Sequence, residues 1–133
     1  MASTEERLKD LRNRKARSEA GGGQARVDSQ HNRGKMTARE RMELLLDDGS
    51  FQEMDALVEH RCKDFGMEKN IIPGDGVVTG HGTINGREVF AFAQDFTVYG
   101  GSLGEMHGMK ICKVLDMARK KCRPEMGMKM TEG

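Results

Sequence analysis

The sequence contains no stretch that approaches the ~20 consecutive apolar residues of a membrane-spanning helix. Its first residues lack the apolar core of a signal peptide, so we expect a soluble, cytoplasmic protein. The three cysteines, Cys62, Cys112 and Cys122, are widely spaced and form no Cys-x-x-Cys pair. This spacing argues against a disulfide framework and against a thiolate zinc site, and it predicts reduced thiols.

Aromatic side chains are also scarce, with no tryptophan, one tyrosine and five phenylalanines. The basic N-terminal segment has no aromatic residue on which a nucleic-acid base could stack, and it carries interleaved acidic residues. Nucleic-acid binding is therefore disfavoured. The four histidines show no metal-ligand spacing, and no metal site is predicted.

The charges present are nearly balanced but unevenly distributed. The chain has 133 residues and a formal net charge of +1, which favours a single globular domain over a disordered chain. The basic side chains are concentrated in residues 1–41, whereas residues 42–133 carry an excess of acidic ones. The N-terminal segment is thus expected to behave as a separate arm.

Two helices are predicted in this arm. Residues 4–20 have helix-forming composition with a thin apolar edge, and the glycines at 21–23 should end the helix. It could be a solvated surface helix or a helix that docks a partner. Thr37 and Glu40 fit a capping box, which predicts a second helix to about Leu46.

Three strands are predicted after the arm, at about 51–58, 76–84 and 87–94. Asn85-Gly86 between the last two is the favoured pair for a two-residue type I′ hairpin turn. The last strand has apolar residues in succession, which is typical of a strand covered on both faces. We expect it to be central in the sheet.

A glycine turn and a helix follow the predicted central strand. Ser102 and Glu105 fit a second capping box, so the helix should begin just beyond Gly100-Gly101. Such a turn brings bare backbone and a helix N-terminus to a bound oxyanion, thioester carbonyl or phosphate. The two glycines could equally serve only tight packing of the strand against the helix.

Two further residues near this turn are candidates for chemical roles. Asp95 precedes the turn and could orient a loop amide or a substrate group, although an Asp at the end of a strand more often caps the backbone. His107 falls about one turn into the final helix, where a packed or exposed histidine is expected rather than a general base.

Several motifs together resemble the biotin-dependent acyl-CoA carboxyltransferase family, which includes propionyl-CoA carboxylase beta chains and methylmalonyl-CoA decarboxylase alpha subunits. The resemblance rests on Gly-Lys-Met-Thr-Ala-Arg-Glu-Arg at 34–41, Pro-Gly-Asp-Gly-Val-Val-Thr-Gly at 73–80 and Gln-Asp-Phe-Thr-Val-Tyr-Gly-Gly-Ser-Leu-Gly at 94–104. It covers about residues 5–120 and corresponds to the first quarter of family members.

The resemblance implies an α/β fold: part of a crotonase-like half with an N-terminal helical arm, a β-hairpin and a strand–glycine turn–helix unit. It divides the chain into an arm at 1–50 and an incomplete carboxyltransferase domain at 51–133. It implies carboxyl transfer between biotin, carried by a partner protein or domain, and the alpha carbon of an acyl-CoA. Other carboxylase or decarboxylase subunits would be partners, the full-length protein would be a homo-oligomer, and the chain alone would be inactive.

The resemblance also gives roles to Tyr99, Gly100 and Gly101. In the family, the glycine turn after the buried strand lies beside the thioester, and a backbone N–H there helps to stabilise the enolate oxygen. That role would fall on these three residues, which agrees with an anion-facing turn.

The C-terminal tail departs from the family pattern. Glu125 and Lys129 would interrupt a strand that is buried in relatives, and Glu132 replaces a glycine. Because an unpaired buried charge is costly, we expect the tail not to adopt the family's strand.

Two other functions are compatible with the sequence. The chain could be a truncated, non-catalytic paralogue that acts as a subunit-binding or assembly module. It could also be an unrelated nucleotide-binding domain, which would bind a free nucleotide without the acyl-thioester portion of CoA.

Overall fold

A computed structural model describes residues 1–62, 64–69, 71–98 and 104–128. The predicted site residues Tyr99, Gly100 and Gly101, together with Ser102, lie outside the described residues. Four helices and four strands, together with a 3-10 helix at Asp64–Lys69, make up the described fold: α1 (Thr4–Ala20), α2 (Gln24–Asn32), α3 (Ala38–Leu45), β1 (Gln52–Met54), β2 (Val77–Ile84), β3 (Arg87–Gln94), α4 (Glu105–Lys120) and β4 (Glu125–Met128).

The arm contains three helices where two were predicted. α1 ends at the glycines as expected, and α3 begins with the predicted capping box, in which the Glu40 carboxylate accepts a hydrogen bond from the Thr37 amide at 2.8 Å. α2 was not predicted, because its nine residues include few apolar ones and its N-cap, Gly23, offers no side chain. Within the described residues, no helix has the length and apolar character needed to cross a membrane.

The four strands form one sheet in the order β1-β2-β3-β4. β2 pairs antiparallel with both β1 and β3, and β4 is parallel to β3. Asn85 and Gly86 both have positive φ, at 52° and 78°, as the predicted hairpin turn requires. β1 is shorter than the predicted strand at 51–58 because the chain turns at Asp55, whose φ is 57°.

The sheet is covered on both faces at β3, which confirms the prediction for this strand. On one face, Val89, Ala91 and Ala93 pack with Ala38 and Met42 of α3. On the other, Phe90 packs with apolar residues of α4. Alternate β3 side chains thus contact different helices, which explains the unbroken apolar run.

The prediction that the tail forms no strand was wrong. Residues 125–128 form β4, and the Phe90 amide donates a hydrogen bond to the Pro124 carbonyl at 3.0 Å. Glu125 is exposed, so its charge is not buried. Gly127 permits the close approach, because a methyl group there would collide with the Phe92 ring. Lys129 and Glu132 lie outside the described residues.

The predicted capping box at α4 was also wrong. It required Glu105 to be the third helical residue, but Glu105 is the first and Gly104 is the N-cap, with no side-chain hydrogen bond of its own. The third residue is His107, whose amide donates to the Asp75 carboxylate at 2.9 Å. A residue 32 positions away therefore supplies the acceptor that a local serine was expected to provide.

Candidate functional site

The strand–turn–helix unit places two described flanks around the predicted site residues. On one side, β3 leads into residues 95–98; on the other, α4 begins at Glu105 after Gly104. Both flanks are fixed by contacts from distant parts of the chain.

The first flank is a turn organised by Asp95. Its carboxylate accepts hydrogen bonds from the Thr97 amide at 2.9 Å and from the Thr97 hydroxyl at 2.6 Å. The Asp95 amide donates to the Gly76 carbonyl at 2.8 Å. These contacts match the backbone-capping role considered for Asp95, rather than a role toward a substrate.

The arm contacts this same turn. The Gly22 amide donates to the Thr97 hydroxyl at 3.0 Å, and the Arg26 guanidinium donates to the Thr97 carbonyl at 3.0 Å. A methyl group at Gly22 would collide with that carbonyl oxygen. The sequence suggested only that the glycine run ends α1. The run also lets the backbone of the arm come into hydrogen-bonding contact with the turn at Thr97.

The second flank is held by Asp75, which lies in the loop before β2 and is 4% exposed. Its carboxylate caps the N-terminus of α4 through the His107 amide. Burial raises the pKa of Asp75, and the hydrogen bond from the His107 amide opposes that rise. Asp75 itself has a φ of 47°, between Gly74 and Gly76, which also have positive φ.

His107 is completely buried and connects the two flanks. Its Nδ1 lies 3.0 Å from the Asp75 carbonyl, and its Nε2 lies 3.3 Å from the Gln94 amide nitrogen at the end of β3. Burial lowers the pKa of His107, which favours a neutral ring. A neutral ring protonated at Nδ1 donates to the carbonyl and accepts from Gln94, so both nitrogens are engaged. His107 is thus a packed histidine, one of the two environments expected for it in place of a general base.

Lys110 completes the buried network, with 2% of its surface exposed. Its Nζ donates to the Gly74 carbonyl at 2.8 Å and to the Val77 carbonyl at 2.6 Å. Burial lowers the pKa of Lys110 to about 8. A neutral amine retains two N–H groups, so both hydrogen bonds can persist after deprotonation.

This lowered pKa predicts a specific pH dependence of stability. Between pH 8 and the ordinary value of 10.5, the unfolded chain binds more protons at Lys110 than the folded chain does, so the free energy of unfolding should rise with pH. The gain should reach about 3 kcal/mol. Urea denaturation of the unmodified protein and of Lys110→Met across this pH range gives the free energy of unfolding of each. The difference between their pH slopes is the contribution of Lys110. Equal pH slopes in the two proteins would contradict the prediction.

A cavity of about 240 Å³ lies between the arm and the sheet, beside Thr97. Its charged lining residues are Glu19, Glu40, Glu43 and Asp95 together with Arg39. The arginine is already paired, through two hydrogen bonds of 2.6 and 3.0 Å, with Glu53. This acidic lining does not suit an anionic ligand.

Sequence reasoning thus found the strand and the helix that flank the predicted site residues but missed the groups that hold these flanks. Gly22 was interpreted only as part of a helix terminator, and Arg26, Asp75 and Lys110 were given no role. The Gly-Asp-Gly sequence at 74–76 was one available signal, because flanking glycines allow a backbone that brings a carboxylate close to another element. Arg26 had no local signal, since its partner is 71 residues away.

Comparison with known proteins extends these observations. The family described as carboxyl transferase domain matches residues 29–133. The propionyl-CoA carboxylase beta chain of Cereibacter sphaeroides is 60% identical over 126 residues, covering 95% of this chain and 25% of that protein. The methylmalonyl-CoA decarboxylase subunit alpha of Veillonella parvula is 56% identical over 133 residues, covering all of this chain and 26% of the relative.

Solved structures agree with the sequence comparison. Transcarboxylase 12S, described as a hexamer and solved with hydrolysed methylmalonyl-coenzyme A bound, superposes with a TM-score of 0.91 at 46% identity, covering 96% of this chain and 25% of that one. The expected α/β, partial crotonase-like fold is confirmed by these neighbours. The chain spans about a quarter of the length of these relatives. The matched family excludes an unrelated nucleotide-binding domain, and the chain belongs to the carboxyl transferase domain family.

Proposed function

We propose that this chain forms one side of the acyl-CoA site in the carboxyltransferase subunit of a biotin-dependent carboxylase or decarboxylase. The reaction would move a carboxyl group between biotin and the alpha carbon of an acyl-CoA such as propionyl-CoA or methylmalonyl-CoA. The observation that carries this proposal is the β3–turn–α4 unit, whose helix N-terminus is fixed by Asp75, in a chain 60% identical to a propionyl-CoA carboxylase beta chain.

Within this function, Tyr99, Gly100 and Gly101 would supply the backbone N–H that stabilises the enolate oxygen. The positive end of the α4 dipole lies at Gly104 and Glu105, beside the same segment. One such donor contributes about 2.7–4 kcal/mol to transition-state stabilisation, provided that it is correctly placed before reaction. The contacts on both flanks would provide that placement.

Biotin would be carried by a partner protein or domain. Carboxybiotin is anionic, and the charged residues that line the cavity beside Thr97 are four carboxylates and one arginine, so the described residues do not fit this group there. The proposed partners are the biotin carrier, other carboxylase or decarboxylase subunits and further copies of the full-length subunit. The proposed location is the cytoplasm. Residues 1–50 would form the arm of the domain at 51–133.

A grafted subunit tests the proposal. The grafted subunit is the propionyl-CoA carboxylase beta chain of Cereibacter sphaeroides in which the matched residues are replaced by those of this chain. We expect the grafted subunit to assemble with its biotin-carrying partner and to carboxylate propionyl-CoA. Assembly without carboxyl transfer would favour the non-catalytic assembly module instead.

The 133-residue chain alone should show no carboxyl transfer and low stability. In the described fold, β4 pairs with β3 on one side only, and an uncovered sheet edge favours association with other chains. Size-exclusion chromatography, thermal unfolding and an assay with free biotin check this expectation. A cooperative unfolding transition together with turnover by the isolated chain would contradict it.

A further inference from the structure

We propose that Arg26 and Gly22 are positioning residues, which hold the turn at residues 95–98 immediately before the proposed enolate-stabilising residues; the inference rests on the proposed function. Both belong to the N-terminal arm, at the start of α2 and in the glycine run before it. They act through Thr97, which lies two residues before Tyr99. Neither residue is assigned a contact with substrate.

Thr97 is bonded on every polar atom. Its amide and hydroxyl donate to the Asp95 carboxylate, its hydroxyl also accepts from the Gly22 amide, and its carbonyl accepts from Arg26. Asp95 alone would fix the local turn, because it is only two residues away. The contacts from Gly22 and Arg26 fix where that turn lies relative to the rest of the molecule.

Burial and shape support a specific contact. Thr97 is 2% exposed, so its polar atoms need partners within the protein. The bond from Arg26 is charge-assisted and spans 71 residues of sequence. Gly22 has no room for a side chain against the Thr97 carbonyl. A solvated surface helix would need none of these contacts, so they indicate that this part of the arm is docked at a defined position.

The consequence is that the arm should control the chemical step rather than substrate affinity. A displacement of about 1 Å in a reacting geometry can cost about 100-fold in rate. Loss of one anchoring bond should therefore lower kcat, whereas acyl-CoA binding elsewhere in the subunit should persist.

Steady-state kinetics of the grafted subunit test the inference. We expect Arg26→Ala to lower kcat about tenfold with KM for propionyl-CoA changed less than about twofold, since the loss is one of alignment. Gly22→Ala should have a similar or larger effect. Arg12→Ala provides the matched control, because Arg12 is an exposed arginine of α1, and it should leave both constants unchanged.

A double-mutant cycle separates positioning from general destabilisation. Thr97→Val removes the hydroxyl but keeps the carbonyl, and its effect on kcat should not multiply independently with that of Arg26→Ala, because both changes loosen one turn. Independent effects would overturn the inference. So would an increase in KM at constant kcat, which would make Arg26 a substrate-binding residue, or an unchanged kcat with a lowered melting temperature. An inactive unmodified grafted subunit would instead contradict the proposed function.

Discussion

Replacing Asp75 by glycine in the grafted subunit is expected to lower kcat for carboxyl transfer by about 100-fold, approaching the loss of a whole oxyanion donor. Asp75 is buried and supplies the acceptor for the third amide of α4. Without it, that amide is left unpaired at a cost of about 1–3 kcal/mol, and the helix start is free to shift. Glycine tolerates the φ of 47° at this position, so the substitution removes the carboxylate without adding backbone strain.

Asp75→Asn is the matched control for this result. Asparagine tolerates the same backbone conformation and retains an oxygen that can accept from the His107 amide, but it carries no charge. We expect most of the activity to remain. If Asp75→Asn lowers kcat as much as Asp75→Gly, the charge of Asp75 matters rather than its geometry as an acceptor. If Asp75→Gly leaves kcat unchanged, the capped start of α4 does not position the site.

Replacing Phe90 by alanine is expected to unfold the 133-residue chain almost completely. Phe90 is fully buried, with Val114 and Ala118 of α4 packed against it, and among the described residues it is the largest fully buried side chain. Removing a buried phenylalanine side chain costs about 3–5 kcal/mol. That is a large share of the about 5–15 kcal/mol available to a typical domain, and this chain also has an uncovered sheet edge.

Urea denaturation followed by circular dichroism measures the effect of Phe90→Ala. Leu44→Ala is the control, because Leu44 is 73% exposed and its truncation should change the free energy of unfolding by less than about 0.5 kcal/mol. Equal urea midpoints for the two variants would show that α4 does not depend on Phe90 for its packing on the sheet. The grafted subunit, assayed for soluble assembly, provides a second measurement.

Local signals predicted the elements that local chemistry controls. The Thr37–Glu40 capping box, the Asn85-Gly86 turn and the apolar run in β3 all involve residues close in sequence, and each is present as expected. The failures have one common cause. The Ser102–Glu105 pattern was locally plausible, but α4 begins at Glu105, and its third amide donates to the distant Asp75.

The prediction for the tail was wrong for a related reason. Glu125 was expected to prevent strand formation because the corresponding strand is buried in relatives. In this chain the side chain is exposed, while the backbone still pairs with β3. The cost of a charge depends on its tertiary surroundings, which the sequence around Glu125 does not specify.

By itself, the sequence determined the family and the order in which strand β3 precedes helix α4, because motifs and periodicity are properties of neighbouring residues. Only the tertiary structure decided which groups hold the residues on either side of the predicted site. Arg26 meets Thr97 and Asp75 meets His107 across 71 and 32 residues, respectively. Such pairs form when the sheet and helices bring buried polar groups together, and burial then requires each group to have a partner.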